Sequence, residues 1–183
     1  TEFLYITDTV KHQVYKTTMD GQVLLTINPP LEAGIYSKVE EFVPTETVID
    51  AEGDIFIADG YGAQYVLRYE RNWKLKHYFG GRGEGDMNLV HAHGICFDTR
   101  NKLHSLLVTD RTRNCFKRFD TDGKLLEVIK LPGACLCRPV IKDDHLYVAV
   151  LMSPNLNALG TGLLPIQANN NKVSSNIGVS DRN

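Results

Sequence analysis

The chain has no marked excess of charge, few cysteines and no long apolar run, and each lack closes off a class of protein. The formal net charge is −2 over 183 residues. So neutral a chain carries no basic field of the kind that draws nucleic acid or an anionic membrane surface. No apolar stretch approaches the ~20 residues of a membrane-spanning helix. No leader is visible: Thr1 and Glu2 run straight into an apolar strand, with neither a basic segment nor an initiating Met. A start in mid-pattern suits a processed or truncated chain as well as a cytoplasmic one, so the compartment stays open. The four cysteines, Cys96, Cys115, Cys135 and Cys137, fall far below the density of a disulfide scaffold. Their redox state stays open too. Cys135 and Cys137 form a C-x-C pair, but a zinc site needs about four N/S ligands and no second pair is present. Buried small apolar side chains are the plainer reading of these thiols.

Familiar motifs are also missing. Neither Gly-x-Ser-x-Gly nor His-Glu-x-x-His occurs. Residues 80–85 are glycine-rich, but the Lys-Ser/Thr and helix of a phosphate loop do not follow. The run Asp120-Thr121-Asp122-Gly123 opens like a calcium loop, yet its twelfth place is Leu131 rather than Glu. Calcium therefore has no assigned ligands, and the run reads as a hairpin. No segment sustains a 3.6-residue apolar period.

What the chain does have is a repeat. Residues 3–8 (FLYITD), 54–59 (DIFIAD) and 106–110 (LLVTD) are apolar strands that stop on a carboxylate. Asp8, Asp59 and Asp110 are evenly spaced. A carboxylate at a strand end accepts backbone N–H bonds and forms a turn, so a structural role is expected for all three. Hairpin signals recur downstream at Asp20-Gly21, at Arg71-Asn72 and at Asp122-Gly123. Four units result, approximately 1–38, 39–86, 87–133 and 134–178, with 179–183 left as a tail or the start of another. The fourth is less faithful: no carboxylate stands near Leu151, where Asp110 would be matched, and its outer hairpin falls in 163–177. Four short antiparallel strands per ~45–50 residues is the pattern of a propeller blade. Blades bury their faces against neighbouring blades, so the core is shared. Three and a half blades do not close a ring and would leave strand edges bare. The expectation is an all-β propeller, present as a fragment of about six blades, with a self-associating half-propeller as the alternative.

The units resemble NHL-type repeats. Residues 7–15 (TDTVKHQVY) carry the family's strand-Asp-turn-strand pattern, with Lys11-His12 where Asn-His is usual, and the likeness is strong from Val43 to Leu131. Within it, residues 54–69, 79–98 and 108–119 resemble the propellers of the peptidyl-α-hydroxyglycine α-amidating lyases and their bacterial relatives. That resemblance implies a catalytic tyrosine at Tyr61, a zinc ligand at His93, a substrate-holding arginine at Arg111, and an extracellular or periplasmic setting. Several departures accompany it. The lyases use three zinc histidines from different blades, and only His93 is matched; Thr45 holds the equivalent place one blade earlier. Gly62 stands where a disulfide cysteine follows the tyrosine, and Cys137-Arg138-Pro139 lacks a histidine.

Two functional readings stay open. In the first, Tyr61 is a general base, zinc at His93 orients the substrate hydroxyl, and Arg111 grips its carboxylate. His91 would join His93 on one face of a strand as a His-x-His half-site. In the second, the propeller has no chemistry and its mouth binds a peptide, protein or carbohydrate. Fold alone does not choose between them. The plain alternatives are a packed strand-end tyrosine for Tyr61 and a backbone-bonded mouth residue for His93. Counted from the repeat aspartate, Tyr61 matches Val10 and Thr112, and is the residue that breaks the repeat.

Overall fold

The computed structural model describes residues 2–100 and 104–151. The loop expected over 152–162, the outer hairpin of 163–177 and part of the turn at 99–103 lie outside them. The first sheet holds β1 (Leu4–Asp8), β2 (Gln13–Thr17) and β3 (Val23–Ile27). The second holds β4 (Glu46–Ile49), β5 (Ile55–Ala58), β6 (Tyr65–Tyr69) and β7 (Leu75–Gly80). The third holds β8 (Ala92–Asp98), β9 (Ser105–Asp110), β10 (Cys115–Phe119) and β11 (Leu125–Lys130). The fourth holds β12 (Leu136–Lys142) and β13 (His145–Val150). Every sheet is an antiparallel meander in chain order. β4 lies beside β1 and β8, and β8 beside β12, so the sheets stack as successive propeller blades. Among the described residues no helix is long and apolar enough to cross a membrane.

The strand sequences follow from this stacking. β5 reads IFIA and all four residues are buried. It does not alternate, because both faces are covered, as in other doubly packed sheets. Ile55 and Ile57 pack toward the first blade with Val14, Ile27 and Phe42. Phe56 and Ala58 pack toward the third with Ile95, Leu106 and Val108. β9 repeats the arrangement: Leu106 and Val108 face one cluster and Leu107 the next, with Phe116 and Leu136. Each such side chain contributes about 1.5–3 kcal/mol when fully buried, and does so only while the neighbouring blade is in place.

All three aspartates accept backbone N–H bonds, but only Asp8 and Asp59 take them from their own turns. Asp8 Oδ1 accepts from Val10 N and Lys11 N at 2.9 Å, a local turn. Asp59, fully buried, accepts from Ala63 N and also from Val43 N, both at 2.7 Å, and from the Tyr36 hydroxyl at 3.0 Å. Asp110, also fully buried, takes Val90 N and His91 N at 3.2 and 3.0 Å. The second and third carboxylates therefore clasp the segment leading into the first strand of their own blade. That clasp fixes residues 43–45 and 91–93 at the mouth.

The hairpins sit as expected, with one shift. Thr18 N to Gln22 O, Glu70 N to Lys74 O and Asp120 N to Lys124 O close the three turns. Gly21 (φ 90) and Gly123 (φ 84) take the left-handed place. In the second blade that place belongs to Trp73 (φ 72), one residue beyond the expected Arg71-Asn72 pair. The four cysteines are free thiols. Burial, with Asp98 nearby, pushes the Cys96 thiol up to about 12.

Candidate functional site

Tyr61 stands on the turn between β5 and β6. Residues 9–12 and 111–114 fill the same turn in the first and third blades, but residues 60–64 fill this one, so it is one residue longer. The extra residue is Gly60. Tyr61 N donates to Val43 O as Arg111 N donates to His91 O. Tyr61 is thus the structural counterpart of Arg111, not of Thr112 as counting from the aspartate suggests. The glycines on either side are there for space. A Cβ on Gly60 would lie 2.0 Å from Ala92 O, and one on Gly62 would lie 2.1 Å from Asp59 Oδ1 and 2.2 Å from Glu41 O. The backbone packs flat against its neighbours on both sides of Tyr61, and the tyrosine side chain is left 48% exposed.

His91 and His93 meet Tyr61 at the mouth. They do not share one face of a regular strand. The β8–β9 register slips between Ala92 and Gly94, and His93 N donates to His91 O at 2.8 Å. This bulge re-aims the side chains. The two imidazole centroids lie 5.9 Å apart, and the Tyr61 ring lies 5.2 Å from His91 and 5.7 Å from His93. The matching places are Val43 and Thr45 in the second blade and Cys135 and Cys137 in the fourth. Leu151 N donates to Cys135 O just as Arg111 N does to His91 O.

Gln64, which the motifs gave no reason to single out, holds the two halves of this cluster together. Its Nε2 donates to Gly60 O and Gly62 O at 2.9 and 3.1 Å, and its Oε1 accepts from Ala92 N at 2.9 Å. One buried amide thereby braces the turn under Tyr61 against the residue between the histidines. Thr45 adds a second brace, with Oγ1 2.9 Å from Ala92 O.

Arg111 lies behind the cluster rather than in the open. It is 8% exposed, with Nε donating to Leu136 O at 2.9 Å and Nη2 to Cys137 Sγ at 3.3 Å. Its charge still reaches the imidazoles. Burial and the Arg111 guanidinium lower His93 to about 4. Burial, Arg111 and Arg82 also lower His91, against the opposing pull of Asp110. Both are neutral at physiological pH, which is the form that ligates metals. Arg82 is a second cation missed by sequence reasoning; it is exposed and donates from Nη2 to Gly62 O at 3.0 Å.

The imidazoles have nitrogens to spare. His91 Nδ1 is 3.3 Å from Thr112 Oγ1, while its buried Nε2 has no partner, and neither has the buried Nδ1 of His93. A ring held at one nitrogen and free at the other, as His91 is, is the usual arrangement of a metal-ligating histidine. Among the described residues no group of three or more His, Cys, Asp or Glu side chains converges.

The chain matches no family model. Over 80 residues it is 32% identical to peptidyl-alpha-hydroxyglycine alpha-amidating lyase 1 of Drosophila melanogaster, a match covering 42% of this chain and 14% of that protein. Among solved structures, a streptogramin B lyase has the same fold at a TM-score of 0.60 and 12% identity, over 81% of this chain and 44% of that one. A virginiamycin B lyase from Staphylococcus aureus does so at 0.60 and 16%, over 81% and 45%. The chain therefore spans a small part of its curated relative and less than half of each solved structure. It has a β-propeller fold, related to proteins named as lyases.

Proposed function

We propose that the mouth formed by Tyr61, His91, His93, Arg82 and Arg111 is the site of a lyase that cleaves a peptidyl-α-hydroxyglycine to a peptide amide and glyoxylate. The observation that carries the reading is the Tyr61–His91–His93 cluster with its two unpartnered imidazole nitrogens. In it, the Tyr61 phenolate takes the proton of the α-hydroxyl. The oxygen lone pair forms the aldehyde C=O, the C–N bond breaks, and the departing amide nitrogen recovers a proton. The guanidiniums whose charge reaches His91 are those of Arg82 and Arg111. Arg82 is the accessible one and suits the substrate carboxylate. Arg111, two of whose nitrogens are engaged, supports from behind. His93 and His91 would hold a zinc ion, whose Lewis acidity would act on the substrate oxygens; further ligands would come from elsewhere.

The test uses N-benzoyl-α-hydroxyglycine as substrate and metal analysis of the purified protein. Glyoxylate release is expected, falling at least ~100-fold in kcat for Tyr61→Phe, with zinc lost in His93→Ala. A protein that neither retains zinc nor releases glyoxylate refutes the reading. The burial of Arg111 favours one alternative, a mouth that binds a peptide, protein or carbohydrate without chemistry. There Tyr61→Phe and Arg82→Ala weaken binding and no product forms.

A further inference from the structure

A cavity of about 300 Å³ opens between β3 and the β6–β7 hairpin. It lies at the end of β6 away from the Tyr61 turn, and the proposed lyase chemistry makes no use of it. Its apolar wall is built from Pro29, Pro30, Leu75 and Trp73.

Trp73 stands in this wall at φ 72, where the equivalent turns carry Gly21 and Gly123. A bulky residue there is a true outlier, and strain of this kind persists only where the surroundings enforce it. The hairpin enforces it here, with Trp73 N donating to Glu70 O and Glu70 N to Lys74 O. Lys16 Nζ sits 4.9 Å from the indole centroid and the Tyr5 ring 6.3 Å from it, so the indole is held as a platform.

The polar groups are as specific. Tyr69 is 4% exposed, lines the cavity, and its buried hydroxyl has no partner. Burial, with the Glu32 carboxylate nearby, holds this phenol above its ordinary range, so it stays protonated and can both donate and accept. Glu32 also lines the cavity and only accepts. Asn28 Oδ1 is already taken by Gln13 Nε2 at 2.8 Å, leaving its NH2 to offer. Glu32 and Lys74 stand on the same wall, so a single charge of either sign is drawn by one and opposed by the other, and an ammonium cannot accept the Tyr69 O–H. A hydroxyl group donates to Glu32 while accepting from Tyr69 or Asn28.

We propose that this cavity binds a neutral pyranose sugar, with the apolar face of the ring on Trp73 and its hydroxyls on Tyr69, Glu32 and Asn28. The volume is at the lower end for ligand pockets and suits one ring. Trp73 is the chain's single tryptophan, so its emission reports occupancy directly. The full chain is titrated with D-glucose, D-galactose, D-mannose and their N-acetylated amino sugars, with choline and acetate as controls. A saturable emission change with at least one sugar and with neither control is expected. Tyr69→Phe, which removes only the unpartnered hydroxyl, should weaken that sugar about tenfold and keep the melting temperature. Trp73→Gly should abolish the sugar's saturation-transfer NMR signal while far-UV circular dichroism stays unchanged. The proposal is overturned if no sugar saturates, if choline or acetate does so instead, or if Tyr69→Phe binds as tightly as the parent. Tyr61→Phe should leave sugar binding unchanged, which separates this site from the mouth.

Discussion

Replacing Gly60 by alanine tests how the Tyr61 turn is held against the histidine pair. The added Cβ would stand 2.0 Å from Ala92 O, 2.5 Å from Ala92 C and 2.7 Å from Thr45 Oγ1. The first two are backbone atoms, so no rotamer change relieves the contact. Ala92 is held by its pairing with Asp110 across β8–β9 and by its N–H on Gln64. Separation by more than an ångström would break the Gln64 bond and the Thr45 Oγ1 bond to Ala92 O. Overpacking costs about 1–3 kcal/mol, and leaving each buried group unpaired costs about 1–3 kcal/mol more. A loss of about 3–9 kcal/mol is expected. Gly21→Ala is the control: nothing lies within 4 Å of its Cβ, but φ is 90, so it should lose only about 1–2 kcal/mol from the left-handed backbone. Urea unfolding followed by Trp73 emission and far-UV circular dichroism measures both. If Gly60→Ala costs no more than Gly21→Ala, the close packing of the turn on Ala92 is wrong.

Other perturbations bear on the clasps and the mouth. Asp59 is held up to about 6, chiefly by burial. Its native form keeps a proton that the unfolded chain loses, so this contribution is present below about pH 4 and lost as pH rises through 6. The loss is about 3 kcal/mol, and a carboxyl carbon titrating near 4 in the folded protein would contradict it. Asp98 behaves oppositely: despite burial, its pairs with Arg100 and Arg118 at 2.7 Å hold it well below the usual range, so its stabilisation is lost at acid pH. Lys117, 2% exposed, donates to Asp86 O at 2.8 Å and to Asn88 O. Lys117→Met should cost about 2–4 kcal/mol and speed amide exchange across residues 80–90; unchanged exchange there would refute that anchoring. Arg111→Met should raise the His93 pKa from about 4, though burial keeps it below 6.5, and NMR titration of the imidazole checks this.

Much of the fold was legible because its signals are local. Strand runs that stop on Asp8, Asp59 and Asp110, and the turns at Gly21 and Gly123, each follow from side-chain chemistry within a few residues. The unbroken apolar runs of β5 and β9 also announce strands covered on both faces. Trp73 escaped for a physical reason. Nothing in its residue type favours a left-handed backbone; the hairpin's backbone bonds impose it, and the indole packs against Lys16 and Tyr5.

The motifs singled out Tyr61 and His93, whose rings do meet, but not the residues that hold them, because that geometry is set between blades. Counting from the repeat aspartate assumes turns of equal length, and the added Gly60 breaks that assumption. It moves Tyr61 into the place that Arg111 holds one blade on. The same difference accounts for Arg111. Its turn is the shorter one, it is buried against β12 by Leu136 O and Cys137 Sγ, and from there it lowers both imidazoles instead of facing solvent. Gln64 carried no motif at all, since an amide between two glycine carbonyls and a partner blade's N–H becomes visible only when the blades are stacked. One inserted glycine thus gives the second blade an exposed tyrosine, where the third blade has a buried arginine, and brings that ring within 6 Å of both histidines.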